Sequence, residues 1–286
     1  MRHIPAAFFL AVSLSGVAQL VAQTRAPALD APLPNASDLW QRALANERKL
    51  AAERERYECR VTDTLLLTDS KGKTKRSNTW VKDEFFVNGI EIDRTLQKNG
   101  KDLTPEQTKK EDERVMKETL KYSNQAAAKK EETEQEQQAQ DFMEAMMLAN
   151  GHRELVNGRS ILSFDIVPNP HFQARNLNQR MARVLQGNVS IDEQTGELID
   201  MDVKSVADLK LGAGMFANVH KGFWLHIHAH PQPDGVWLGD LAEGTGDMRA
   251  LLFFHPYFRF KETTDSCHLY TATAVQVGEP KVVKTN

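Results

Sequence analysis

The stretch TWVKDEFFVNGIEIDRTLQKNG, residues 79–100, holds two β-type runs, each closed by Asn-Gly. Both residues of that pair tolerate positive φ, which a tight type I′ hairpin turn requires. Thr79 to Val87 therefore turns at Asn88-Gly89 into Ile90 to Gln97, and the chain turns again at Asn99-Gly100. An earlier run, Tyr57 to Thr68, ends at Lys71-Gly72-Lys73 and supplies a third strand. Three consecutive hairpin-linked strands predict an antiparallel meander.

The same signals recur in the second half of the chain. Glu154 to Val156 turns at Asn157-Gly158 into Ile161 to Val167, and Val184 to Ile191 turns near Thr195-Gly196 into Leu198 to Val206. In the last of these, Ile199, Met201 and Val203 alternate with Asp200, Asp202 and Lys204, as in a strand with one wet face. Phe216 to His230, Val236 to Ala242, Arg249 to Phe260 and Cys267 to Val277 bring the expected total to about ten strands. No βαβ spacing separates them, so the fold is read as α+β, an antiparallel sheet with its helices segregated to one face.

Two helical regions interrupt the strands. Leu39, Trp40, Ala43, Leu44 and Leu50 recur at helical spacing, predicting a helix from an N-cap at Ser37 or Asp38 to about Arg56. Thr104-Pro105-Glu106-Gln107 is a capping box with proline at the first helical position, opening a helical insert over about 104–150. Most of the insert is Ala, Lys, Glu and Gln; an apolar cluster, Phe142, Met143, Met146, Met147 and Leu148, closes it.

Arg2 and His3, the apolar run Ile4 to Leu14, and small residues at Gly16, Ala18 and Ala22 read as an export signal over residues 1–22. That places the mature protein in the periplasm, where ATP and reduced nicotinamide are scarce. Residues 23–37, rich in Ala and Pro, read as a disordered lead-in, 38–280 as one domain and 281–286 as a tail. The net charge of −3 and the absence of a basic tract mixed with aromatics argue against nucleic-acid binding. No mature transmembrane segment and no cofactor is implied. Cys59 and Cys267 either form a disulfide or pack as separate buried thiols.

Three candidate sites stand out. Phe142, Met143, Met146 and Met147 would share a helix face, suited to covering mobile apolar ligands or to plain core packing. Leu251 to Phe258 is apolar on both faces, so Leu252, Phe254 and Phe258 would line a cavity or a doubly covered strand. His226, His228 and His230 share one strand face; the spacing of about 6–7 Å between them favours a solvated face over a metal site. Nucleophile-elbow, zinc-helix and phosphate-loop patterns are absent. Gly212 to Ala217 matches G-x-G-x-x-A outside any βαβ unit, so a catalytic role is not expected.

Phe85-Phe86-Val87-Asn88-Gly89, Asn99 to Thr104, Lys109 to Arg114, Phe164 to Pro170, His220-Lys221-Gly222 and Asp234 to Leu238 resemble exported bacterial members of the outer-membrane lipoprotein-sorting protein (LolA/LolB-like) superfamily. The resemblance spans about Trp40 to Tyr270. It implies a curved, unclosed antiparallel half-barrel whose concave face is covered by the helical insert, leaving an apolar cavity. The function then expected is a non-catalytic periplasmic carrier or sensor for a lipid, a lipoprotein or another acylated ligand. The alternative is a protein–protein interaction module of the cell envelope whose core is filled by its own side chains.

Overall fold

A computed structural model describes residues 29–69, 71–211, 217–250 and 257–269. The expected export signal and tail, and Leu252 and Phe254, lie outside these residues. A helix α1 (Ala36–Arg54) precedes strands β1 (Tyr57–Thr68), β2 (Thr74–Val87), β3 (Ile90–Lys98) and β4 (Lys101–Asp102). Helices α2 (Pro105–Ser123) and α3 (Gln125–Ala145) follow, then β5 (Met146–Val156), β6 (Arg159–Pro168), α4 (Leu177–Ala182), β7 (Leu185–Asp192) and β8 (Leu198–Ser205). Two short strands, β9 (Leu209–Leu211) and β10 (Ala217–Val219), lead to β11 (Trp224–Pro231), β12 (Trp237–Ala250) and β13 (Tyr257–Leu269).

Eleven strands form one curved, unclosed antiparallel sheet in the order β4-β3-β2-β1-β13-β12-β11-β8-β7-β6-β5, with β10 on β12 and β9 on β10. The expected α+β half-barrel is thus the observed fold. The two meanders meet where β1 pairs with β13, and there Cys59 and Cys267 are direct cross-strand partners joined by a disulfide.

The turn chemistry is realised as read. Asn88-Gly89, Asn99-Gly100 and Asn157-Gly158 all have positive φ at both residues, between 49° and 79°. The Thr104–Gln107 capping box is formed, with each side chain accepting the other residue's backbone N–H.

Several boundaries differ from expectation. Asn35 caps α1, its Oδ1 accepting the Asp38 N–H at 2.8 Å, so the helix starts earlier than Ser37 or Asp38. The helical insert stops at Ala145, and Met146 already begins β5. Helical spacing and strand alternation cannot be told apart over so short an apolar run, and pairing with Pro168 and Val167 decided for strand. Of the expected strand Arg249 to Phe260, residues 249–250 belong to β12, 257–260 to β13, which continues to Leu269, and 251–256 lie outside the described residues. The expected run Phe216 to His230 is likewise divided between β10 and β11.

Alternation along the strands separates two faces. One cross-sheet row reads Phe164, Val189, Met201, Ile227, Ala242, Glu262, Asp63 and Trp80. The adjacent row, on the opposite face, reads Asp165, Asn188, Asp202, His226, Glu243, Lys261, Thr64 and Thr79. The first is apolar from β6 to β12 and the second is polar throughout, so the sheet has an inner and an outer face.

α2 lies along the edge of the sheet. β3 pairs with β2 along one side, but on its other side β4 covers only Gln97 and Lys98, so no strand lies beside Asp93 and Thr95 there. Glu111 accepts the Thr95 N–H at 2.7 Å and Arg114 donates to the Asp93 carbonyl at 2.5 Å. The Arg114 guanidinium, aided by the Thr95 N–H, holds the Glu111 carboxyl down at about 2. Covering an edge in this way removes a template for pairing with another chain.

Candidate functional site

The inner face is the region expected to bind, and α1 fills part of its apolar half. Leu39 of α1 is 3% exposed, packed among Leu162, Phe164, Ile166, Val189 and Val203. Burying such a side chain stabilises by about 1.5–3 kcal/mol. α1 is fixed in place by the β7–β8 turn. Arg42 donates to the Glu193 carbonyl, and Asn46 Nδ2 donates to the Thr195 carbonyl at 2.8 Å. Gly196 at φ +81° lets the turn approach the helix: a Cβ there would sit 2.8 Å from the Ala43 nitrogen.

Toward β1 to β3 the same face becomes acidic. Lys82 Nζ lies 2.5 Å from Asp63 Oδ2 and 2.7 Å from Asp93 Oδ2. Burial opposes its charge, yet those two bonds outweigh burial and raise the Lys82 pKa. Asp63 Oδ1 is buried and has no donor unless Glu262, its direct cross-strand neighbour, carries a proton. Burial, and then Asp63, push Glu262 up to about 7. Burial, with Glu91 and Glu262 nearby, pushes Glu84 up to about 8, and burial followed by Asp93 raises Glu91.

These shifts predict a stability that depends on pH. Glu84 and Glu262 bind protons more tightly folded than unfolded, where the ordinary value is 4.5. Their contribution is complete below the unfolded value and lost as pH rises through about 7 to about 8. His226, raised by its bond to Asp200, has the same sign. The urea midpoint is therefore expected to fall between pH 5 and pH 8, and to fall less in Glu84→Gln; equal slopes in the two proteins would remove Glu84 as a cause.

The residues singled out in the sequence do not converge. Phe142 and Met143 are half-buried on α3, and Met146 joins the Leu39 cluster from β5. Met147 is 44% exposed, because a strand sends neighbours to opposite faces where a helix would have kept them together. Phe258 packs against Phe223, ring centroids 6.3 Å apart, on β13, and β12, β11, β8, β7 and β6 lie between it and the strand of Met146. His226 Nε2 lies 2.9 Å from Asp200 and His228 Nδ1 lies 2.5 Å from Asp240, while His230 is exposed. Among the described residues no three His, Cys, Asp or Glu side chains are placed to share a metal ion.

Sequence reasoning missed a buried ionic node at the β7–β8 turn. Glu193 takes two bonds from Arg153, Nε to Oε2 at 2.7 Å and Nη2 to Oε1 at 2.6 Å, and a third from Ser160 Oγ at 2.5 Å. The Arg153 side chain is 2% exposed. Next to it Asp192, 1% exposed, accepts from Arg159 Nε at 2.6 Å and from the Gln194 and Thr195 N–H groups. Glu193 thus ties α1, the β5–β6 hairpin and the β7–β8 turn together. The sequence signal for the acidic cluster was present, since Lys82 and Glu84 share their parity with Trp80 and Phe86. The node had none, because its partners are about 40 residues apart.

No protein-family model and no curated protein matches the chain. Two solved structures are similar to it. One is a putative outer membrane lipoprotein-sorting protein domain from Vibrio parahaemolyticus, at 10% identity and TM-score 0.33, covering 83% of this chain and 94% of the other. The second is MucB in complex with MucA(peri), at 10% identity and TM-score 0.22, covering 83% of this chain and 100% of the other. At that identity and those TM-scores the likeness bears on neither ligand nor partner.

Proposed function

We propose that this is a non-catalytic binding protein of the cell envelope, and that its partner is another protein docking on a half-barrel filled from within. The observation that carries the reading is Leu39, buried at 3% exposure where the resemblance placed an open apolar cavity. The helical insert supplies a docking element. No residue of α2 is buried, and Met116 and Leu120, one turn apart, are 59% and 67% exposed. An apolar pair on a charged helix fits recognition by a groove in a partner. The envelope location is supported by the export-type segment at residues 1–22.

The carrier reading keeps one observation in its favour. A cavity of about 370 Å³ lies between α1 and the sheet, lined by Leu50, Leu198, Ile227 and Trp237 among others. The Trp237 Nε1–H is buried without an acceptor, as an ester carbonyl of an acyl ligand would provide. Native mass spectrometry of the protein from a membrane-bearing host, before and after organic extraction, separates the two. The bare protein mass is expected. A released acyl lipid would overturn the interaction reading and restore the carrier.

A further inference from the structure

The lead-in, expected to be disordered, is held against the sheet at residues 31–33. Arg153 Nη1 donates to the Ala31 carbonyl at 2.7 Å and Nη2 to the Pro32 carbonyl at 3.3 Å. The Asp30 carboxylate adds to the field that raises the Arg153 pKa, after the larger effect of the Glu193 bonds. One side chain beyond the carbonyls, Leu33 reaches the backbone of Gly151 and the Phe164 ring. A Cβ on Gly151 would sit 2.7 Å from Leu33 Cδ1 and 2.5 Å from Phe164 Cε1, so only glycine leaves the space.

We propose that Arg153, Gly151 and Phe164 form a site for an extended, proline-bearing peptide of the pattern x–Pro–Leu, and that the chain's own Ala31-Pro32-Leu33 occupies it in cis. The chemistry of each position supports this. Pro32 and Pro34 fix φ near −65°, which favours a polyproline-type segment whose carbonyls make no internal hydrogen bonds. Such carbonyls need an external donor, and a planar guanidinium presents two parallel N–H groups to consecutive ones. Glu193, itself held by Ser160, fixes that guanidinium through two bonds, so the donor is preorganised. A stiff peptide also loses little conformational freedom on docking.

The occupant in trans is a segment of a partner protein with the same pattern. The tethered copy competes at an effective concentration in the millimolar range, so the partner must either bind more tightly or arrive when the lead-in is displaced. This inference rests on the interaction reading given above. A lipid found by native mass spectrometry would remove that reading and leave the peptide test to stand or fall separately.

The test uses the chain from Gln23 onward and a fluorescein-labelled peptide of residues 27–36, PALDAPLPNA. Leu33→Asp in the protein loosens the tethered copy; Leu33 is already 36% exposed, so the fold is expected to survive, as checked by circular dichroism. Fluorescence anisotropy is expected to show at least tenfold tighter peptide binding to Leu33→Asp than to the parent chain. Leu33→Ala, a milder change, is expected to fall between the two. A peptide carrying Asp at the position of Leu33, with Leu29 kept, is expected to bind none of the three. Binding of the unmodified peptide to none of them, or equally to all, would overturn the proposal.

Discussion

Replacing Cys59 and Cys267 together by serine is expected to lower the unfolding free energy by about 5 kcal/mol. The bond spans 208 residues of sequence, so in its absence the unfolded chain regains the entropy of a very long open loop. It also sits on the pairing of β1 with β13, where the N-terminal meander meets the C-terminal strands. Tyr57, Cys59 and Val61 form a buried cluster there with Val236 and Leu238, and Cys267 packs against it. At about 2–4 °C per kcal/mol for a domain of this size, the melting temperature should drop by about 10–20 °C. Treatment of the parent protein with a thiol reductant should give the same shift. Oxidised and reduced melts that coincide within a degree or two would mean that the seam holds without its bond.

Glu193→Ala is expected to cost about 3–5 kcal/mol, because it removes the carboxylate that takes two bonds from the buried Arg153 guanidinium. The Arg153 side chain is 2% exposed and the Glu193 side chain 9%, so water does not replace the lost bonds. Ser160 Oγ loses its acceptor in the same change. The double variant Arg153→Leu with Glu193→Leu removes both charges and is expected to recover much of the loss, since a buried pair is often replaceable by apolar residues. Urea unfolding of the parent, the single and the double variant completes the comparison. A single variant within about 1 kcal/mol of the parent would show that the node is hydrated and weak.

The two variants differ in what else they change. The cysteine replacement acts mainly on the unfolded chain and should leave the lead-in seated. Loss of Glu193 frees Arg153 to rotate, so it should weaken capture of the labelled 27–36 peptide as well as stability. A Glu193→Ala protein that stays folded and binds the peptide as before would place the recognition elsewhere.

Much of the fold was legible because it is encoded locally. Asn88-Gly89, Asn99-Gly100 and Asn157-Gly158 marked three hairpins, and each has the positive φ that only such residues adopt without strain. The capping box at Thr104 marked the start of α2 to the residue. The alternation in β8 placed Asp200 and Asp202 on the outer face, where they meet His226 and Trp224 at 2.9 and 2.8 Å. The binding surface was less legible. Met146 and Met147 were grouped by a helical period that the chain does not follow there, and pairing with β6 sent them to opposite faces.

The sequence by itself determined the strands, their turns, the two-faced alternation and the helical insert, since each depends on residues within a few positions of one another. Tertiary structure alone decided that β1 pairs with β13, that Leu39 fills the inner face, and that Arg153 meets both Glu193 and the lead-in. Those contacts join residues 40 to more than 200 positions apart. Loop-closure entropy and side-chain complementarity select such partners only once the sheet has formed, and no local pattern records them.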